Sequence, residues 1–272
     1  MNLLFCINRK FQPLLLQCLR SIARKGGEPE YDAYILHSDL EEPDLAAIRQ
    51  SAPACFLFHF VAVDPKEFDG FPERKRYPRQ IYYRLAAPLL LPDTLDRILY
   101  LDVDTIIINP LGEFYSTDFG GSGYVACTHI REALTKFNDR RLNVPEGSPY
   151  VNTGVLLLNL PKLRGCLTME DIKETALEKV DSFLLPDQDL LTVLHGNLIK
   201  LADSQRYNLS DRILNLYNMD PTHPKHDEAW VRKNAVILHF CGKNRPWLPH
   251  YVGTLGVFYQ ELVGDPEWAE NQ

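Results

Sequence analysis

Residues 99–109 read LYLDVDTIIIN. Two aspartates, Asp102 and Asp104, interrupt an otherwise apolar run. An ionised carboxylate loses much solvation when it leaves water, so such company needs a reason. The preceding RILYL (97–101) reads as the end of a buried strand, and the aspartates follow it directly. In extended chain, residues two apart point the same way. Both carboxylates are therefore expected to face one site at the carboxyl edge of a sheet. Like charges that close repel, and a divalent cation relieves the repulsion. Oxygen-rich ligation suits Mg²⁺ or Mn²⁺. The same two residues, taken alone, also suit a strand-end turn in which they cap backbone amides.

Outward from this stretch, short apolar runs alternate with longer amphipathic ones. Runs at 3–7, 33–37, 56–63, 98–101, 124–127, 154–159 and 236–240 are predicted strands. NLLFCI and YVAC lack polar alternation, as strands covered on both faces do. QPLLLQCLRSIARKGG places Leu15, Cys18, Leu19 and Ile22 on one helical face and stops at Gly26 and Gly27. DLAAIRQS and YPRQIYYRLAAPLLL also fit helical spacing, and TMEDIKETALEKV opens with Thr168 and Asp171, close to a capping box. Alternating strands and helices predict an α/β fold: a mostly parallel central sheet with helices on both faces. In such sheets ligands bind beyond the carboxyl ends of the strands. Neither G-x-G-x-x-G nor G-x-x-x-x-G-K-[ST] occurs, which removes the usual dinucleotide fingerprint and P-loop. The stretch 203–235, rich in Asn, Asp, His and Pro, reads as an irregular lobe beside the sheet.

The composition narrows the partners. The 272 residues carry a formal charge of −7 with 45% hydrophobic content, the profile of a water-soluble globular chain rather than a broadly basic nucleic-acid binder. One local basic patch, PERKRYPR at 72–79, reads equally as a solvated loop. The six cysteines form no C-x-x-C pair and sit mostly in apolar stretches, so they are expected as buried free thiols in a reducing compartment. The opening MNLLFCINRKFQPLLLQC lacks the basic start and long apolar run of a signal peptide. No stretch approaches the length of a transmembrane helix. The expected location is the cytoplasm, with peripheral membrane contact left open.

Four further stretches line up with the D-x-D: YYRLAAPLLLP before it, then VNTGVLLLNL (151–160), LPDQDLLTVLHG (185–196) and HFCGKNRPW (239–247). In order and spacing the set resembles family 8 glycosyltransferases, the group of glycogenin and the bacterial lipopolysaccharide glucosyl- and galactosyltransferases. The resemblance covers residues 1 to 248, leaving 249–272 as a C-terminal tail. It implies a GT-A fold over 1–248 and retaining transfer of glucose or galactose from UDP-glucose or UDP-galactose to a carbohydrate or other hydroxyl acceptor, with Mn²⁺ (or Mg²⁺).

Carried over residue by residue, the resemblance implies that Asp102, Asp104 and His239 hold the metal, with Val103 beside the donor. Gly242 allows close backbone approach to a phosphate. The family pattern ends G-x-x-K-P-W; here Arg245 stands at the lysine position and Lys243 is a second candidate for the diphosphate. Arg84, on an apolar helical face, needs an anionic partner and is placed beside the donor sugar and the D-x-D. Asn152 and Gly154 are expected to line the sugar pocket. Asp187 is expected to bind sugar hydroxyls, and Gln188 to sit where an enzymic nucleophile would be. An amide is a poor nucleophile, which favours a front-face mechanism over double displacement. Asp189 is either a contributor of charge behind the site or an acidic residue of a helix start. Trp247 is expected to anchor its loop by packing. Asn8 stands where an acidic uracil contact is usual, followed by Arg9 and Lys10, and His129 replaces a common acidic residue.

Two rival functions fit parts of the pattern. Haloacid-dehalogenase-type phosphatases carry D-x-D-x-[TV] after an apolar strand, but Ile106 occupies the last position here and the chain has no adjacent acidic D-D pair. A catalytically silent UDP-sugar-binding protein would be signalled by loss of Asp102, Asp104 or His239, and all three are present.

Overall fold

Leu3, Leu4 and Phe5 are each fully buried, although consecutive residues of one strand face opposite ways. Leu4 joins one core with Tyr82, Tyr83, Leu163, Ile172 and Leu190; Leu3 and Phe5 join another with Leu15, Leu19 and Phe114. The strand is thus covered on both faces, each fully buried leucine contributing roughly 1.5–3 kcal/mol. The structure is a computed structural model and describes residues 1–71, 80–130, 132–179 and 182–265. The basic stretch 72–79 lies outside the described residues.

Among the described residues, nine strands form: β1 (Asn2–Cys6), β2 (Tyr31–His37), β3 (Phe56–Ala62), β4 (Arg97–Leu101), β5 (Thr105–Ile107), β6 (Tyr124–Cys127), β7 (Asn152–Asn159), β8 (Ile199–Ala202) and β9 (Ile237–His239). Seven form one sheet in the order β3-β2-β1-β4-β7-β6-β8. The pairs β3–β2, β2–β1, β1–β4 and β6–β8 are parallel, while β7 runs antiparallel to both β4 and β6. The seven predicted strands are all present. β5 and β8 are additions that the apolar runs did not separate out.

The helix Gln12–Lys25 buries the predicted face Leu15, Cys18, Leu19 and Ile22. It stops as expected: Gly27 has φ +88°, where an L side chain is strained, and a Cβ there would meet Pro110 at 2.9 Å. Thr168 and Asp171 form the capping box of the helix Met169–Glu178, each side chain bonding the other's backbone N–H.

The stretch 203–235 departs from its irregular reading. It contains the helices Ser204–Tyr207, Asp211–Asn218 and Glu228–Asn234. The polar residues that mimic loop composition are their caps: Asp203, Ser210 and Asp227 accept from the backbone N–H groups of Gln205, Ile213 and Trp230. Between the caps, Ile213, Leu214 and Val231 enter a third core with Leu238 and Phe240. The helix Gly256–Val263, within the C-terminal tail, adds Phe258, Tyr259 and Leu262 to it.

All six cysteines are free thiols. Cys18 and Cys127 are buried, and Cys6, Cys55 and Cys241 half-buried. Cys166 corrects the expectation: it is exposed, because it follows the short surface helix Leu160–Arg164.

Candidate active site

The chain turns sharply after β4. Thr105 donates its hydroxyl to the Asp102 carbonyl at 2.8 Å, and the chain re-enters extended form as β5. β5 pairs antiparallel with β9 in a separate two-stranded sheet, with Thr105 opposite His239. This register carries His239 to the two aspartates, across a sequence separation of 135 residues from Asp104. His239 Nε2 lies 3.1 Å from Asp104 Oδ1 and 3.7 Å from Asp102 Oδ2. One ligand atom from each residue falls within 4.8 Å of the others. Two carboxylates and an imidazole that converge in this way fit a small divalent cation, since the donor set is oxygen-rich and without the ion two like charges face each other.

The carboxylates are not equivalent. Asp102 Oδ1 accepts from Tyr100 Oη at 2.5 Å and pairs with Arg84 Nη1 at 3.1 Å, leaving Oδ2 toward His239. Burial pushes the Asp102 carboxyl above its ordinary range, with Arg84 opposing. Burial also acts upward on Asp104, but His239 and then Arg245 outweigh it and hold this carboxyl below the usual value.

Arg84 is buried, and its polar contacts run through Nη1, while Nε is buried without a partner. It pairs with Asp102 and, at 3.4 Å, with Asp187, donates to the Thr153 carbonyl at 3.1 Å and lies over the Tyr100 ring. Thr153 donates its hydroxyl to Asp187 Oδ2 at 2.5 Å. Asp187 and Gln188 open the helix Pro186–His195. Asp189 is wholly buried behind them. It accepts from Arg141 at 2.7 and 3.0 Å, from Tyr150 Oη at 2.8 Å and from the backbone N–H groups of Leu184 and Leu185 at 2.6 and 3.0 Å. Its role is to fix the loop that aims Asp187 and Gln188.

In front of Asp189 lies one cleft of about 930 Å³ at the carboxyl ends of β1 and β4. Asn8, Arg84, Asp102, Val103, Asp104, Asn152, Asp187, Gln188, His239, Gly242 and Arg245 all line it. Arg245 reaches Asp104 Oδ2 at 3.8 Å and donates Nε–H to the Gly242 carbonyl at 2.9 Å. Gly242 has φ +103°, so glycine is what lets this loop turn. Trp247 packs against Tyr259 and Phe240 and anchors the loop.

Several expected residues sit differently. Lys243 is exposed and is not among the residues lining the cleft. Asn8 lines the cleft, but its Oδ1 already accepts from the Lys10 N–H. Arg9 pairs with Asp44 and Glu41, while Lys10 faces the cleft. Gly154 is not among the cleft-lining residues either; it makes room behind the cluster. A Cβ there would meet the His239 ring and lie 2.6 Å from Asp102 Oδ2. If the cluster holds a divalent cation, Gly154→Ala is expected to weaken its binding about tenfold, as displacement of a ligand's support does, while a cooperative melt persists. Titration of Mn²⁺ in the presence of UDP checks this; unchanged affinity refutes it.

Tyr100, Thr153 and Asn208 were missed. Tyr100 had a signal, since it lies two residues before Asp102 and so on the same strand face. Thr153 and Asn208 had none, because their partners are remote in sequence.

The sheet and cleft together are those of a GT-A glycosyltransferase. The galactosyltransferase LgtC, solved with donor and acceptor sugar analogues, superposes with a TM-score of 0.80 at 25% identity over 100% of both chains. Residues 2–250 match the pattern described as glycosyl transferase family 8, and the chain belongs to that family. Lipopolysaccharide 1,2-glucosyltransferase of Escherichia coli (strain K12) is 26% identical over 72% of this chain and 57% of its own length. General stress protein A of Bacillus subtilis (strain 168) is 26% identical over 69% of this chain and 66% of its own. The chain thus matches between about half and two thirds of these relatives. Among the described residues, no helix is long and apolar enough to cross a membrane.

Proposed function

We propose that the chain moves glucose or galactose from a UDP-sugar to a hydroxyl of a carbohydrate or other acceptor, with retention, using Mn²⁺ or Mg²⁺, in the cytoplasm. The observation that carries this reading is the Asp102–Asp104–His239 cluster next to Arg245, in a cleft that also holds Asp187 and Gln188. Relatives named for glucose and galactose transfer to lipopolysaccharide support a hexose.

Asp102, Asp104 and His239 would hold the cation, which when bound supplies Lewis-acid stabilisation of the leaving diphosphate. Arg245 offers further N–H donors to the same phosphates. Arg84 bridges Asp102 and Asp187 and compensates their charge. Asn152 Oδ1 is engaged within the protein by the Gly154 and Asn208 donors, so its Nδ2 is the group left to read a sugar hydroxyl. Gln188 is uncharged and poorly nucleophilic, which supports front-face attack. The bond from anomeric carbon to diphosphate breaks, the acceptor oxygen bonds on the same face, and its proton passes to the departing phosphate oxygen.

UDP release from a panel of UDP-sugars, followed by an acceptor screen with the best donor and anomer assignment by NMR, tests this reading. An α-linked product from an α-donor is expected. Phosphomonoester hydrolysis without any UDP-dependent thermal shift would support a phosphatase instead, and binding without turnover a silent binder.

A pH dependence follows from His239, whose Nε2 must lose its proton to ligate. Burial alone would lower its pKa, but Asp104 and Asp102 outweigh burial and raise it above 6.5. Protons thus compete with the cation from above pH 6.5 downward. Mn²⁺ affinity is expected to fall as pH drops through that raised value, by up to about tenfold per unit for one proton. A pH-independent affinity between neutral and mildly acidic solution would contradict this.

A further inference from the structure

Asn208 is fully buried and both ends of its side-chain amide are used. Nδ2 donates to Asn152 Oδ1 at 3.1 Å, and Oδ1 faces His239 Nδ1 at 2.9 Å. The orientation is forced by a chain of one-way groups. The Gly154 backbone N–H can only donate, and it donates to Asn152 Oδ1 at 3.1 Å. That atom is therefore the acceptor, so Asn208 must turn its NH₂ toward it and its carbonyl oxygen toward His239. Nδ1 of His239 must then carry a proton. The Asn208 backbone is pinned as well: its carbonyl accepts from His129 Nε2 at 2.7 Å. A carbonyl oxygen can only accept, so His129 spends its Nε2–H on Asn208. The next residue completes the clamp, since His239 N–H donates to the Leu209 carbonyl at 2.8 Å.

We infer that Asn208 is a positioning residue that keeps the proton of His239 on Nδ1, so that Nε2 presents its lone pair to a cation between Asp102 and Asp104. His129 and Asn152 hold Asn208 in place for this task. The alternative tautomer has an obvious cause to form: Asp104 Oδ1 lies 3.1 Å from Nε2 and is a good acceptor. Without Asn208, a neutral His239 would put its one proton on Nε2 toward Asp104, and the nitrogen that should ligate would be blocked. A partner on the other ring nitrogen is the general means by which a protein selects a ligating tautomer.

The inference rests on the metal-site reading above. Two measurements on wild type, Asn208→Leu and Asn208→Asp test it. The first is the ¹⁵N spectrum of labelled histidine in metal-free protein, at alkaline pH where the ring is neutral. Wild type is expected to show His239 protonated on Nδ1, Asn208→Leu on Nε2, and Asn208→Asp, whose carboxylate still accepts from Nδ1, as wild type. The second is Mn²⁺ titration with saturating UDP, followed by electron paramagnetic resonance. Asn208→Leu is expected to weaken Mn²⁺ roughly 10–100-fold, with Asn208→Asp recovering most of the loss. Wild-type His239 protonated on Nε2 overturns the inference, even if the leucine variant fails to fold. Wild-type Mn²⁺ binding that survives unchanged in a folded Asn208→Leu overturns it alone. Absence of any Mn²⁺ binding in wild type overturns the metal-site reading with it.

Discussion

Asp104→Asn is expected to bind UDP no more tightly with Mn²⁺ than without it. The substitution keeps the side chain's shape and removes its charge. Asp104 is the better of the two carboxylates for this test. Asp102 shares one oxygen with Arg84 and Tyr100, so changing it also disturbs the sugar side of the cleft. Among the described residues, the ion pairs of Asp104 are with His239 and Arg245, both cationic or able to become so. In the variant His239 loses its closest anionic partner, and a bound cation would lose one of two charged ligands. Metal stabilisation of a leaving diphosphate is worth several kcal/mol, so turnover is expected to fall more than about 100-fold. Calorimetry of UDP with and without Mn²⁺ measures the binding, and UDP release the rate. Metal-dependent affinity equal to wild type would remove the cluster as the metal site.

Asp189→Asn carries the largest expected loss of stability. Asp189 has no exposed surface, and five donor contacts converge on its carboxylate: two from Arg141, one from Tyr150 and two from the backbone. An amide would turn an NH₂ toward one set of these donors and leave the Arg141 guanidinium without its counter-charge. Breaking a buried pair from one side costs about 3–5 kcal/mol. For a chain of this size that corresponds to a drop in melting temperature of roughly 10 °C. The loss extends to function, because the same carboxylate secures the turn that aims Asp187 and Gln188. Urea denaturation and residual UDP release measure the two effects. A stability within 1 kcal/mol of wild type, at about the size of an ordinary surface change, would show that the network is replaceable.

Much of this was legible in the chain. The central strands announced themselves because burial on both faces leaves unbroken apolar runs, as at Leu3–Phe5 and Leu156–Leu158. β8 did not, because IKLA is short and lies at the edge of the sheet, with the adjacent Lys200 and Leu201 both exposed. β5 was hidden by continuity: TIII reads as a prolongation of the strand before the aspartates, while Thr105 in fact begins a new pairing with β9. The stretch 203–235 was misjudged because capping residues and loop residues have the same composition. In the site, residue chemistry marked Asp102 and Asp104 after a buried strand and Arg84 on an apolar helical face, while His239 and Arg245 were placed by the family resemblance. Asn208 carried no such mark. Its meaning depends on three partners at 129, 152 and 239 that only folding brings together.

The pairing of β5 with β9 also imposes an order in time. On the ribosome, all seven strands of the main sheet and both aspartates emerge before residue 237, and N-terminal structure forms first. A nascent chain would therefore own two of the three proposed ligands while the third is still being synthesised. It acquires the last when Ile237–His239 docks beside Thr105–Ile107 and the third core closes over it. On the proposed reading, the capacity to hold a cation would come only after the chain has passed residue 239.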